Sequence, residues 1–320
     1  MNILLTAINA KYIHSNLAVY SLRACAGEYR DAVELAEYTI NNQKDYILEE
    51  LYKRKPDVLC FSCYIWNIDY VTDIAREYKK LCPSVPIWVG GPEVSYEVEA
   101  FLRENPYIDG VMIGEGEDTF RELCGYYAHK RKLSDIAGIA FRKNSTGNST
   151  SVNNIGGNKV GEIVFTSPRP IKNMSEIPFC YDTLDDFSNR IIYYESSRGC
   201  PFSCSYCLSS VDKTLRFRDT EIVKRELKFF IDQKVPQVKF VDRTFNCNHA
   251  HAMELWRFIK ANDNGVTNFH FEISADLLNQ EELELISDMR PGLIQLEIGV
   301  QSTNEVTIKE IHRTMKLERL

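Results

Sequence analysis

The chain of 320 residues contains no apolar run that approaches the ~20 residues a membrane-spanning helix needs. Its first stretch, MNILLTAINAKYIHS, has a short apolar run with no basic flank and no small-residue cleavage site. No export signal is read there, and a cytoplasmic location is expected. Basic charge is not in excess either: 38 Lys and Arg stand against 45 Asp and Glu, a net charge of −7. That balance argues against nucleic acid as a partner. No GxGxxG or P-loop spacing occurs, which weakens a dinucleotide or triphosphate reading. The rest of the composition, 44% hydrophobic and 26% charged, is that of an ordinary globular protein. The length fits about two domains of roughly 100–200 residues each.

Cysteine, by contrast, is abundant, with ten residues. Without an export signal they are expected as reduced thiols, metal ligands or core residues rather than disulfides. Seven are scattered: Cys25, Cys60, Cys63, Cys82, Cys124, Cys180 and Cys247. Cys60 and Cys63 form a CxxC, but they lie inside the apolar run DVLCFSCYIW. A buried strand carrying two small hydrophobes is expected there, not a redox pair. The other three, Cys200, Cys204 and Cys207, crowd into SRGCPFSCSYCL.

Residues 1–128 alternate short β-rich runs with amphipathic helical runs, beginning with MNILLTAI and then SNLAVYSLRACAGEY, where Ser15 is placed to cap the helix. Five such βα units with short links predict a parallel sheet covered on both faces, in the flavodoxin-like order 2-1-3-4-5. Ligands of such sheets bind beyond the carboxyl ends of the strands. The loops to inspect are therefore INAKYIHSN, SCYIWN, VGGPEVS and IGEGED. Gly90 and Gly91 allow close approach to the backbone, having no Cβ. Residues 134–166 predict a hairpin around a Ser/Asn/Gly-rich tip, followed by a Pro-punctuated linker. The expected partition is 1–133, a connector over 134–190, and 191–320.

From residue 191 the βα alternation resumes for four units, which predicts part of a (β/α) barrel. The cysteine loop follows its first strand, at the end where such barrels do chemistry. Thiolates select zinc, copper(I) or iron–sulfur clusters. A closed zinc site needs four ligands, and only one compact triplet is present, although Cys247, His249 or His251 could complete it. A [4Fe–4S] cube on three cysteines keeps one iron open for another ligand.

The spacing Cys200-x3-Cys204-x2-Cys207, with Tyr206 just before the last cysteine, is identified as the signature of the radical SAM superfamily. The ordered loops INAKYIHSN, SCYIWN, VGGPEVS and IGEGE ahead of it resemble the cobalamin-binding domain of cobalamin-dependent radical SAM enzymes. The resemblance implies a flavodoxin- or Rossmann-like cobalamin domain with a five-stranded parallel sheet, followed by a partial radical SAM barrel. It implies that S-adenosylmethionine (SAM) binds the fourth iron and is cleaved by one electron to a 5′-deoxyadenosyl radical, most often for methyl transfer. An electron donor such as a flavodoxin or ferredoxin, and a small-molecule substrate of unknown identity, go with it.

By the same resemblance Tyr206, Asp242, Glu272 and Gln301 contact SAM, with Arg243, Asp276 and Glu297 as further candidates. Ser62, Gly90, Gly91 and Glu93 line the site of the corrinoid's nucleotide tail, and Gly114, Glu115 and Gly116 lie near its rim. Tyr12 and His14 lie close to the corrin. Family members that ligate cobalt through histidine carry DxHxxG; aligned on His14, this chain has Tyr12 and Leu17 in place of the Asp and Gly. The carboxylate that would orient a ligating imidazole is missing. His14 is read as a residue at the corrin edge or a structural one rather than as a cobalt ligand. Other readings are a radical rearrangement or cyclisation, a methylthiotransferase, and a non-catalytic corrinoid-binding module. The methylthiotransferases carry a second cysteine set, whose spacing Cys25, Cys60, Cys63, Cys82 and Cys124 do not reproduce. Because a radical SAM core usually has six βα units, the chain is expected to be a fragment of a longer one or to be completed by a partner.

Overall fold

A computed structural model describes residues 1–143, 161–187, 189–211 and 213–319. The polar hairpin tip NSTGNSTSVNNIGGNKV lies outside the described residues. The chain divides into two compact units, the first comprising Met1–Lys172 with Pro178–Leu184 and the second Asn173–Ile177 with Asp185–Leu320.

The first unit alternates β1 (Ile3–Asn9), α1 (Leu17–Cys25), β2 (Val33–Thr39), α2 (Lys44–Arg54), β3 (Val58–Ser62), α3 (Ile68–Leu81), β4 (Ile87–Gly90), α4 (Val98–Glu104), β5 (Gly110–Met112) and α5 (Glu117–Tyr127). The five strands are parallel in the expected order β2-β1-β3-β4-β5. All seven residues of β1 are buried, as a central strand covered on both faces requires. Helix α3 shows the complementary pattern: Val71, Ile74, Ala75 and Tyr78 form one buried stripe at helical spacing. Asn16, not Ser15, caps α1, because its side chain accepts the Val19 N–H. Cys60 and Cys63 are core residues.

The connector differs from expectation. Its hairpin, β6 (Ile139–Arg142) and β7 (Ile163–Phe165), pairs antiparallel onto β5 and extends the sheet to seven strands. The open edge of β5 offers unpaired backbone groups, and the hairpin satisfies them.

In the second unit β8 (Ile192–Tyr194) leads to two short strands that pair antiparallel, β9 (Ser197–Arg198) and β10 (Arg216–Phe217). Then come α6 (Thr220–Asp232), β11 (Gln237–Phe240), α7 (His249–Ala261), β12 (Asn268–Ile273), α8 (Gln280–Ser287), β13 (Ile294–Ile298) and α9 (Glu305–Glu310). The parallel sheet runs β8-β11-β12-β13, so the four βα units sit side by side in chain order. Alternation separates its faces. Phe240 and Phe271 pack with Phe245 and Trp256 into an aromatic core. On the other face Lys239 reaches Glu297 at 2.8 Å and Glu272 at 3.6 Å. Among the described residues no helix is long and apolar enough to cross a membrane.

Candidate functional site

The cysteine loop leaves the carboxyl end of β8 through a turn that only glycine suits. Gly199 has φ +96°, and a Cβ there would lie 2.5 Å from the Thr214 carbonyl oxygen. Beyond it Cys200 and Cys204 are buried and Cys207 is half-buried. The last turn of the loop is closed by Cys207 N–H donating to the Cys204 carbonyl at 3.1 Å. All three cysteines line one cavity of about 240 Å³. Tyr206, Arg243, Thr244, Glu272, Glu297, Gln301 and Arg313 share its walls.

Three of the four expected SAM contacts therefore meet at this cavity. Glu272 stands on β12, where burial raises its carboxyl above the usual range and Lys239 opposes the shift. Gln301 follows β13 with φ +64°, an uncommon conformation for a residue bearing a side chain. Tyr206 accepts a hydrogen bond from Arg313 at 2.9 Å.

Asp242 does not line the cavity. It is fully buried and accepts from Ser196 N–H at 2.8 Å, Ser196 Oγ at 2.6 Å and Ser197 Oγ at 2.6 Å. Its carboxylate lies against the start of the cysteine loop, which offers it these three donors, so it is satisfied there.

At this cavity sequence reasoning missed Arg313. Its guanidinium also donates to the Gly299 carbonyl. The segment after α9 runs across the strand ends, with Ser205 N–H donating to Ile311 O at 3.0 Å and Lys316 N–H to Asp276 at 3.2 Å. In sequence Arg313 is one cation in the basic stretch HRTMK, and nothing local marks it.

A structural zinc site finds little support. His249 Nδ1 lies 2.9 Å from Glu282, and His251 Nε2 lies 3.1 Å from Ser196 Oγ. Both imidazoles are committed elsewhere. Burial pushes the Cys247 thiol up to about 11, with Cys200 adding to the shift. Among the described residues no three His, Cys, Asp or Glu side chains are grouped for a single ion. Three thiols around one cavity fit a larger body such as a [4Fe–4S] cube with one open iron. The scattered cysteines do not form a second such set: burial pushes the thiols of Cys25 and Cys124 up to about 12, and those of Cys60 and Cys63 up as well.

The first unit presents its own site at the strand ends. Ser62 on β3 pairs in register with Gly90 on β4. At Gly91, φ is +116° and a Cβ would meet the Cys63 carbonyl oxygen at 2.4 Å. Ser95 ties the glycine loop to the next one, donating to Gly91 O at 2.8 Å and accepting from Gly114 N–H at 3.3 Å. Glu93 and Gly114 are exposed, Gly116 is half-buried, and Glu115 accepts the Lys172 N–H at 3.5 Å. His14 is half-buried, and its carbonyl accepts from Asn9 Nδ2 at 3.0 Å. Two side chains not foreseen organise these loops. Glu37 accepts from Asn9, Asn16 and Tyr20. Asn67 is fully buried and clamps Ile8 O and Ser62 O at 2.9 and 3.0 Å.

The fit of a corrinoid can be judged from the surface. Tyr12, Ile13, Ile65, Trp66 and Tyr96, all large, all exposed, stand in the loops after β1, β3 and β4. Apolar side chains gathered at one rim mark a ligand surface, and a broad flat macrocycle with apolar faces suits this one.

Residues 3–124 match the family model of the B12 binding domain, and residues 194–320 match that of the radical SAM superfamily. The chain belongs to the radical SAM proteins with an N-terminal B12-binding domain. The groups that go with this family are a [4Fe–4S] cluster, SAM and cobalamin. The chain is 31% identical over 218 residues to an uncharacterized methyltransferase of Pyrococcus horikoshii, covering 65% of this chain and 44% of that protein. It is 29% identical over 238 residues to the cobalamin-dependent radical SAM methyltransferase TokK of Streptomyces tokunonensis, covering 69% and 31%. The structure of the cobalamin-dependent SAM radical enzyme OxsB with aqua-cobalamin and SAM has the same fold, with a TM-score of 0.75 at 17% identity over 99% of this chain and 46% of that one. The chain thus spans less than half the length of each of these proteins.

Proposed function

We propose that this chain carries the cofactor-binding machinery of a cobalamin-dependent radical SAM methyltransferase acting on a small molecule. The observation that supports it most is the cavity at which Cys200, Cys204 and Cys207 meet Glu272, Gln301 and Arg313. When bound, the groups would supply one-electron reductive cleavage of SAM and a carrier for the methyl group. The residues do the rest. The three thiolates of Cys200, Cys204 and Cys207 would hold the cluster, leaving one coordination position for SAM. Arg313, held by Tyr206 and Gly299, presents a cation that suits the SAM carboxylate. Glu272 and Gln301 contact its ribose or methionyl part. Ser62, Gly90 and Gly91 admit the corrinoid tail, and the rim of Tyr12, His14, Glu93, Gly114, Glu115 and Gly116 borders it. A flavodoxin or ferredoxin supplies the electron. Methyl transfer is favoured over other radical chemistry because both relatives above bear that activity in their names.

The test is a product assay of the full-length protein, reconstituted anaerobically with iron, sulfide and cobalamin and reduced with dithionite. 5′-Deoxyadenosine together with S-adenosylhomocysteine supports methyl transfer. 5′-Deoxyadenosine alone supports a different radical step, and neither product overturns the enzyme reading.

A further inference from the structure

Ser196 sits four positions before the first cysteine, is fully buried, and has every polar group committed. Its N–H and hydroxyl donate to Asp242 at 2.8 and 2.6 Å, its carbonyl accepts the Arg218 N–H at 2.9 Å, and its Oγ lies 3.1 Å from His251 Nε2. Because the hydroxyl donates to Asp242, His251 donates from Nε2, which gives the order His251, Ser196, Asp242. Ser197 adds a further donor to the same carboxylate at 2.6 Å. Two residues beyond Asp242, the Thr244 hydroxyl lies 3.9 Å from Cys200 Sγ and donates to the Arg243 carbonyl at 2.8 Å. Burying a carboxylate this deeply is costly, and apolar side chains would fill the space more cheaply. What the carboxylate adds is directional: it locks two consecutive residues of the loop to the end of β11.

We propose that Asp242 is a positioning residue for the cysteine loop, fixing Ser196 and Ser197 so that Cys200 stands against Thr244 before any cluster is bound. The inference rests on the cluster reading given under Proposed function. It places Asp242 behind the cluster, not against SAM.

The experiment uses the full-length protein, reconstituted anaerobically, and follows iron release to a ferrous chelator together with the EPR spectrum of the reduced cluster with and without SAM. Asp242→Asn should fold with the parent's circular dichroism and release iron roughly tenfold to a hundredfold faster, the range for partners that orient metal ligands. Its SAM-induced EPR change should persist. Ser197→Ala should move release the same way by less. Release at the parent's rate in a folded Asp242→Asn protein overturns the proposal. So does loss of the SAM-induced change at an unaltered rate, which would make Asp242 a SAM contact. If Asp242→Asn does not fold, Ser197→Ala decides: faster release supports the proposal and the parent's rate overturns it. A parent that takes up no iron defeats the cluster reading and this inference with it, whereas a loaded parent with indifferent variants defeats this inference alone.

Discussion

The guanidinium of Arg313 donates to the phenol oxygen of Tyr206 at 2.9 Å, joining the segment after α9 to the cysteine loop 107 positions earlier. This contact fixes a cation at the wall of the cysteine cavity. Arg313→Ala should raise the KM for SAM by roughly tenfold to a hundredfold, the worth of a hydrogen bond to a charged group. Tyr206→Phe removes only the neutral partner and should cost about tenfold or less. SAM titration of the full-length protein checks both, and equal effects would show that Arg313 acts only through Tyr206.

Cys200→Ala, Cys204→Ala and Cys207→Ala should each abolish 5′-deoxyadenosine formation. Cys247→Ala should retain both iron and product, although Cys247 lies near enough to Cys200 to feel its charge. Loss of iron in that fourth variant would bring Cys247 into the ligand set.

The buried chain behind the loop carries opposing pH dependences. Burial raises the Asp242 carboxyl from 3.8 to about 7 and lowers His251 from 6.5 to about 4. As pH rises from 3.8 towards 7, folded Asp242 keeps a proton that the unfolded chain has released, so its contribution to stability is lost. Folded His251 lacks a proton that the unfolded chain holds, so its contribution grows from pH 4 to 6.5 and is lost on acidification. The two slopes oppose each other over that window. His251→Gln should unmask the fall, giving a stability that drops more steeply from pH 4 to 6.5 than the parent's in urea unfolding. Parallel pH profiles would contradict the assignment.

Gly91 and Gly114 both have positive φ, at +116° and +74°, but differ in space. A Cβ at Gly91 meets the Cys63 carbonyl oxygen at 2.4 Å, whereas nothing lies within 4 Å of one at Gly114. Gly91→Ala should destabilise the first unit by about 1–3 kcal/mol or more and weaken corrinoid binding. Gly114→Ala should cost only about 1–2 kcal/mol of backbone strain. Thermal unfolding with and without hydroxocobalamin separates them, and equal losses would refute the steric argument.

Sequence periodicity carried the βα order of both units, because buried parallel strands and amphipathic helices leave strong local patterns. The three cysteines stood out by their spacing instead, and they line one cavity. The hairpin's place on the sheet was not legible: β6 and β7 pair with β5 through backbone groups, which no side-chain pattern records. The direction in which Asp242 points was not legible, since a carboxylate at a strand end looks the same in sequence whether it faces the cavity or the loop beneath. Arg313 was missed because Tyr206 lies 107 positions away in the chain, and the Asn67 clamp because one of its two carbonyls, that of Ile8, lies 59 positions away.

The central claim is that three cysteines hold a cluster whose fourth iron is left to SAM. EPR of the anaerobically reconstituted, reduced full-length protein, backed by iron and sulfide analysis, tests it most directly. The account predicts about four irons per chain and a cluster signal that changes when SAM is added. Stoichiometric zinc without iron, or a cluster signal indifferent to SAM, would contradict it.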